Sequence, residues 1–78
     1  MNKERRKRLN MVVDSLVDNQ SILESVMEDE SDVYENMPDG LKESDRGCTM
    51  EENIETLDEI VSDISELIDK INDLLDNN

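Results

Sequence analysis

The chain has 78 residues, with 22 acids against 8 bases, no histidine and a formal net charge of -14. A single cysteine, Cys48, excludes an internal disulfide, and the lack of histidine excludes a Ser-His-Asp triad, a Cys-His pair and a Cys/His zinc site. A charged fraction of 38% with Tyr34 as the only aromatic residue would suit a disordered chain, but the apolar residues recur with a period instead of being scattered.

Residues 1–8, MNKERRKR, hold five of the eight bases. No apolar run follows them, and none in the chain approaches the roughly 20 residues of a membrane span. The sequence therefore predicts neither a signal peptide nor a membrane helix, and a reduced, intracellular setting. Cations at the start of a helix oppose its dipole. In an antiparallel hairpin this head, residues 3–8, would lie beside Asp69, Asp73 and Asp76, and mutual neutralisation is the simpler expectation. The alternative is that Arg5, Arg6 and Arg8 from several chains contact an anionic ligand such as a nucleotide or phosphate.

From Leu9 to Met37 the apolar residues follow one another at spacings dominated by three and four, which predicts an amphipathic helix over 1–37. It should stop before Pro38, which disfavours helix at the preceding residue. With Leu9 at heptad position a, Asn19 and Gln20 fall at d and e and interrupt the stripe. A buried polar pair there would fix register and oligomer state.

Residues 38–48, PDGLKESDRGC, form the predicted connector. They contain the only proline and both glycines. Asp39-Gly40 is a turn signal and Gly47 marks a second break, with a short helical turn expected over 41–45. Tyr34, Met37 and Leu41 cluster near this connector, either as core or as a recognition patch.

The second helix is predicted over 49–76, with Thr49 as N-cap and Glu52 three residues on completing a capping box. With Met50 at a, the a row is Met50, Leu57, Ile64 and Ile71, the d row Asn53, Ile60, Leu67 and Leu74, and the e row Ile54, Val61, Ile68 and Leu75. Eleven of these twelve positions are apolar. A two-stranded coiled coil needs only a and d, whereas a stripe three rows wide suits a bundle. The expected fold is all-α: one domain, an antiparallel helical hairpin resembling a coiled coil, assembling into a four-helix-bundle dimer or a higher oligomer. The e row is expected to stay wet in an isolated hairpin. The oligomer interface is accordingly placed at Ile54, Leu57, Ile60, Val61, Ile64, Leu67, Ile68 and Ile71.

Chemistry is hard to place on such a rod. Paired carboxylates such as Glu55/Glu59 and Glu24/Glu28 stand on solvated faces without a pocket to shift their pKa values. The run EDESD at 28–32 lacks the ligand order of an EF-hand loop. Cys48 reads as a half-buried residue just before the helix. The sequence points to no enzyme, no cofactor and no metal. The acid-lined helix would not itself bind nucleic acid, but its charge spacing is comparable to that of a phosphate backbone. It would suit docking into a basic groove as well as simple solubility.

The stretch YENMPDGLKESDRG, followed by an acidic helix with an ENIETLDEI-like pattern, resembles a family of small proteins from phages and prophages of Gram-positive bacteria. The MNKERRKRL opening is similar to theirs as well. The specific part is Asn36, Met37, Pro38, Leu41, Ser44, Arg46 and Gly47. The chain departs from the family pattern with Leu41-Lys42 where L-Q is common and Asp45-Arg46-Gly47 where E-R-G is common. The resemblance implies a phage origin and the cytoplasm of a bacterial host, but no activity.

The sequence thus leads to a non-enzymatic, phage-type interaction protein that inhibits a host nucleic-acid-acting or anti-phage defence protein. Its partner contacts are placed at Tyr34, Met37, Pro38, Leu41, Ser44, Arg46, Glu55, Glu59 and Glu66. The alternatives are an oligomeric sponge that sequesters an anionic nucleotide signal and a phage assembly accessory.

Overall fold

A computed structural model describes all 78 residues. It is built from three helices: α1 (Lys3–Glu35), the short α2 (Asp39–Lys42) and α3 (Asp45–Asp76). Helices α1 and α3 pack side by side along most of their lengths, giving a body 58 Å long and 15 × 13 Å in section.

Each long helix has a side-chain cap. Asn2 has extended backbone geometry, and its side-chain oxygen accepts from the Arg5 N–H at 2.9 Å. The first helix ends at Glu35, and Met37 and Pro38 lead out of it in non-helical conformations. Ser44 caps α3 by accepting from the Gly47 N–H at 3.4 Å, and Asp45 adds an acid to the first turn, where the helix dipole favours it.

The second long helix therefore begins four residues earlier than its composition suggests. Thr49 and Glu52 lie inside it, both exposed, and form no cap. Ser44 takes that role because Gly47 does not break the chain. It is a buried helical residue at the elbow between α2 and α3. A Cβ there would stand 2.2 Å from the Lys42 carbonyl oxygen and 2.6 Å from that of Leu41. No glycine has positive φ, so the residue is required for close approach and not for an unusual backbone. The short helical turn in the connector is present, shifted to Asp39–Lys42. Cys48 sits in the first turns of α3 and is exposed, not half-buried ahead of the helix.

The seam between the long helices follows a 3-4 alternation on both sides. On α3 the inward residues are Met50, Ile54, Leu57, Val61, Ile64, Ile68, Ile71 and Leu75. On α1 they include Leu9, Val13, Leu16, Gln20, Leu23, Met27 and Tyr34. These are the a and e rows. The expectation that e would remain wet is reversed: e is in the seam, and the d residues Ile60, Leu67 and Leu74 are exposed. On a helix, a to e is four residues and e to the next a is three, so a/e seats a partner as well as a/d does. Of the two, only a/e is apolar at all eight positions of α3, because Asn53 stands at d.

The seam covers its residues only in part. Met50 and Leu75, one near each end, are the only buried hydrophobic side chains, and none in the chain is fully enclosed. A globular protein of 9.0 kDa would expose about 4,900 Å². This hairpin exposes 5796 Å². No helix is long and apolar enough to cross a membrane.

Candidate interaction surfaces

Polar contacts pin the hairpin at three levels. At the open end, where the chain termini lie, the Arg6 guanidinium donates to the Leu75 carbonyl at 2.9 Å, and the terminal amine approaches Asn78 Oδ1 at 3.5 Å. Arg6 thus satisfies a carbonyl of the last turn of α3 and puts a cation at its negative end. At mid-length, Gln20 Nε2 donates to the Val61 carbonyl at 2.9 Å and to Ser65 Oγ at 2.6 Å. At the connector end, the Tyr34 hydroxyl donates to the Glu51 carboxylate.

This separates the polar pair of α1. Gln20 turns inward and fixes register through α3, whereas Asn19 is exposed and has no part in the seam. It also divides the basic head. Arg6 is engaged with α3, while Arg5 and Arg8 line an open groove with Met1, Leu9 and Val12. The three arginines therefore do not converge on a common point.

The connector end is the most elaborated part of the surface. Lys42 Nζ stands 5.3 Å from the centre of the Tyr34 ring, a cation–π contact on the same side chain whose hydroxyl binds Glu51. That hydrogen bond holds the proton on the phenol and raises the Tyr34 pKa from 10.0 to about 12; partial desolvation and the nearby charges of Glu51, Cys48 and Glu35 push the same way. A cleft beside it is lined by Ser31, Tyr34, Glu35, Glu51, Ile54 and Glu55. The Ser44 hydroxyl donates to the Leu41 carbonyl. Met37 is half-buried, and Pro38, Leu41 and Arg46 are exposed. The structure thus groups Tyr34, Met37, Pro38, Leu41, Ser44, Arg46 and Glu55 at one end. Glu59 and Glu66 lie apart from them, exposed on the outer side of α3 along the shaft. No group of three or more Cys, Asp or Glu side chains has the geometry to hold a metal ion.

Six of the eight residues assigned to an oligomer interface, Ile54, Leu57, Val61, Ile64, Ile68 and Ile71, instead line the seam within one chain. Ile60 and Leu67 remain outside it. They belong to a surface that periodicity alone did not resolve. In an antiparallel pair, rows offset in the same sense from each seam lie on the same broad face. The d row of α1 (Val12, Asn19, Val26, Val33) and that of α3 (Asn53, Ile60, Leu67, Leu74) accordingly share one side of the rod. Val26 and Asn53 line a common open groove there, with Glu30, Thr56 and Leu57. The aliphatic members of this face, with Ile22 beside them, are between 37% and 62% exposed. The signal that could have found it was Asn53, the single polar residue among the twelve stripe positions.

No protein family, curated protein or solved structure matches this chain.

Proposed function

We propose that this protein is a non-enzymatic interaction module, a helical rod that acts by binding the surface of another protein. The observation that carries the reading is the concentration of charge around the connector. Residues 24–59 contain 14 of the 22 acids and two of the eight bases, a net charge of -12, and the rest of the chain carries only -2. That charge stands on helices held by the Tyr34–Glu51 hydrogen bond and the Gly47 elbow. A rigid anionic end requires little ordering on binding, and complementary charge speeds encounter with a basic partner.

The partner that fits is a protein with a basic groove, such as one that handles nucleic acid. The resemblance to phage proteins around Asn36–Gly47 makes that partner a host enzyme or defence protein in the bacterial cytoplasm, blocked by occupation of its groove. Tyr34, Leu41 and Arg46 would supply the specific contacts and Glu55, Glu59 and Glu66 the charge. The finer architecture that accompanies this reading is self-assembly into a four-helix bundle. The test is affinity capture from host lysate with the intact chain and with Glu59→Lys/Glu66→Lys. Both positions are exposed, so helicity should persist while capture falls about tenfold or more. Undiminished capture would remove the acidic flank from the interface.

A further inference from the structure

The d-row face serves no purpose in the hairpin itself. Val12, Val26 and Val33 on α1 and Ile60, Leu67 and Leu74 on α3 cover none of the seam and are covered by nothing within the chain. Burial of each would contribute about 1.5–3 kcal/mol. We infer that this face is the contact between two copies of the chain, packed face to face with their long axes antiparallel and with the two-fold axis passing at Asn19.

Three observations carry the choice of a second copy and of its orientation. The first is area. On a body 58 Å long and 15 Å wide the face has a footprint of about 870 Å², against about 800 Å² per partner in an ordinary stable interface. The second is charge. With the copies parallel, the two connector halves, each of net charge -12, would lie against each other. With the copies antiparallel, each connector half meets the other copy's open-end half, of net charge -2, which carries the basic head.

The third is register. Asn19 is the central residue of α1, which runs from Lys3 to Glu35. The Gln20 contacts place this level of α1 against Val61–Ser65, so an axis at Asn19 crosses α3 between Ile60 and Leu67. Under that one operation Val12 faces the second copy's Val26, Ile60 faces its Leu67, and Arg8 comes level with its Asp29. The only polar residue of the α1 d row lands on the axis, where two carboxamides can each donate to the other's oxygen. A polar pair at one position of an apolar contact sets register and stoichiometry.

The inference deepens the reading of the chain as a protein-binding rod, and its test does not depend on which host protein is bound. Cys48 is the only cysteine and is exposed, so the natural chain takes one spin label without substitution. Cys48 lies about 15 residues along α3 from the two-fold axis, so the two labels should be about 45 Å apart in the antiparallel pair. Parallel copies would bring them within about 25 Å. Light scattering at physiological salt should give twice the 9.0 kDa chain mass, and pulsed dipolar spectroscopy the longer distance. A single-chain mass, a mass above two chains, or a distance under 25 Å would each overturn the inference. A monomer that still captures a host protein defeats the dimer and leaves the proposed function standing; a dimer that captures none does the reverse.

Discussion

The two broad faces of the rod are built from the same two helices and flank the same seam, yet they are opposites. One presents Val12, Val26, Val33, Ile60, Leu67 and Leu74, with Asn19 and Asn53 as its only polar row members. The other presents the rows one step past position a: Asn10, Val17, Glu24 and Ser31 from α1, and Glu51, Asp58, Ser65 and Asn72 from α3. The polar face is closed by side-chain bonds, Gln20 to Ser65 and Tyr34 to Glu51. The apolar face has no such closure. The difference teaches that one helical stripe can hold two interfaces, with two rows spent on the intramolecular seam and the third left for another surface.

The strongest way to break the contrast is at the elbow. Gly47 continues the e row, and its contact with the Lys42 backbone seats that row in the seam. In Gly47→Ala the methyl group meets backbone and not a flexible side chain, so the elbow must open. The expected loss is about 1–3 kcal/mol, read as a lower midpoint in urea or thermal unfolding followed by circular dichroism. A variant as stable as the parent would show that the close approach does not seat α3.

The next largest effect separates the faces directly. Leu67→Glu puts a charge in the apolar face, and Asn72→Glu puts the same charge in the polar one. The first should weaken self-association by roughly 10- to 100-fold, the cost of one lost aliphatic contact, and the second should leave it unchanged. Equal sedimentation profiles for the two variants would show that the faces are equivalent in solution.

The smallest effect lies on the polar face. Tyr34 is the only aromatic residue, so its ultraviolet difference spectrum reports one group. Its midpoint should lie near 12 in the folded chain and fall towards 10 in Glu51→Gln. Because the folded-state pKa is raised above the unfolded value, the stability linked to this proton is fully present below about pH 10 and is lost as pH rises through 12. An unshifted midpoint in the folded chain would mean that the Tyr34–Glu51 bond does not persist in solution.

Much of the architecture was legible from residue types alone. Spacings of three and four, Pro38 and the charge on the shaft are local signals, and they correctly indicate two long helices joined by a short connector. Two local signals misled. Thr49 with Glu52 is a sound capping box by composition, but Ser44 with Asp45 offers an equally good start, and the glycine between them fits a close approach that a one-dimensional reading cannot show. Asn19 and Gln20 are adjacent, so on a helix they point about 100° apart, and only the partner helix shows which one turns inward. The connector residues from Tyr34 to Arg46 do gather at one end, as their proximity in sequence suggests, while Glu59 and Glu66 stay on the shaft because a helix spaces them about 10 Å apart along its axis.

By itself, then, the sequence determined that this chain forms helices, where they break and that their stripe is three rows wide. Those properties depend on neighbours within one or two turns. Only the tertiary structure decided which two rows meet and which row faces outward. An a/e seam and an a/d seam satisfy the same periodicity, and the choice between them rests on contacts made across the hairpin: Gly47 against the connector, Gln20 against Val61 and Ser65, and Arg6 against the end of α3.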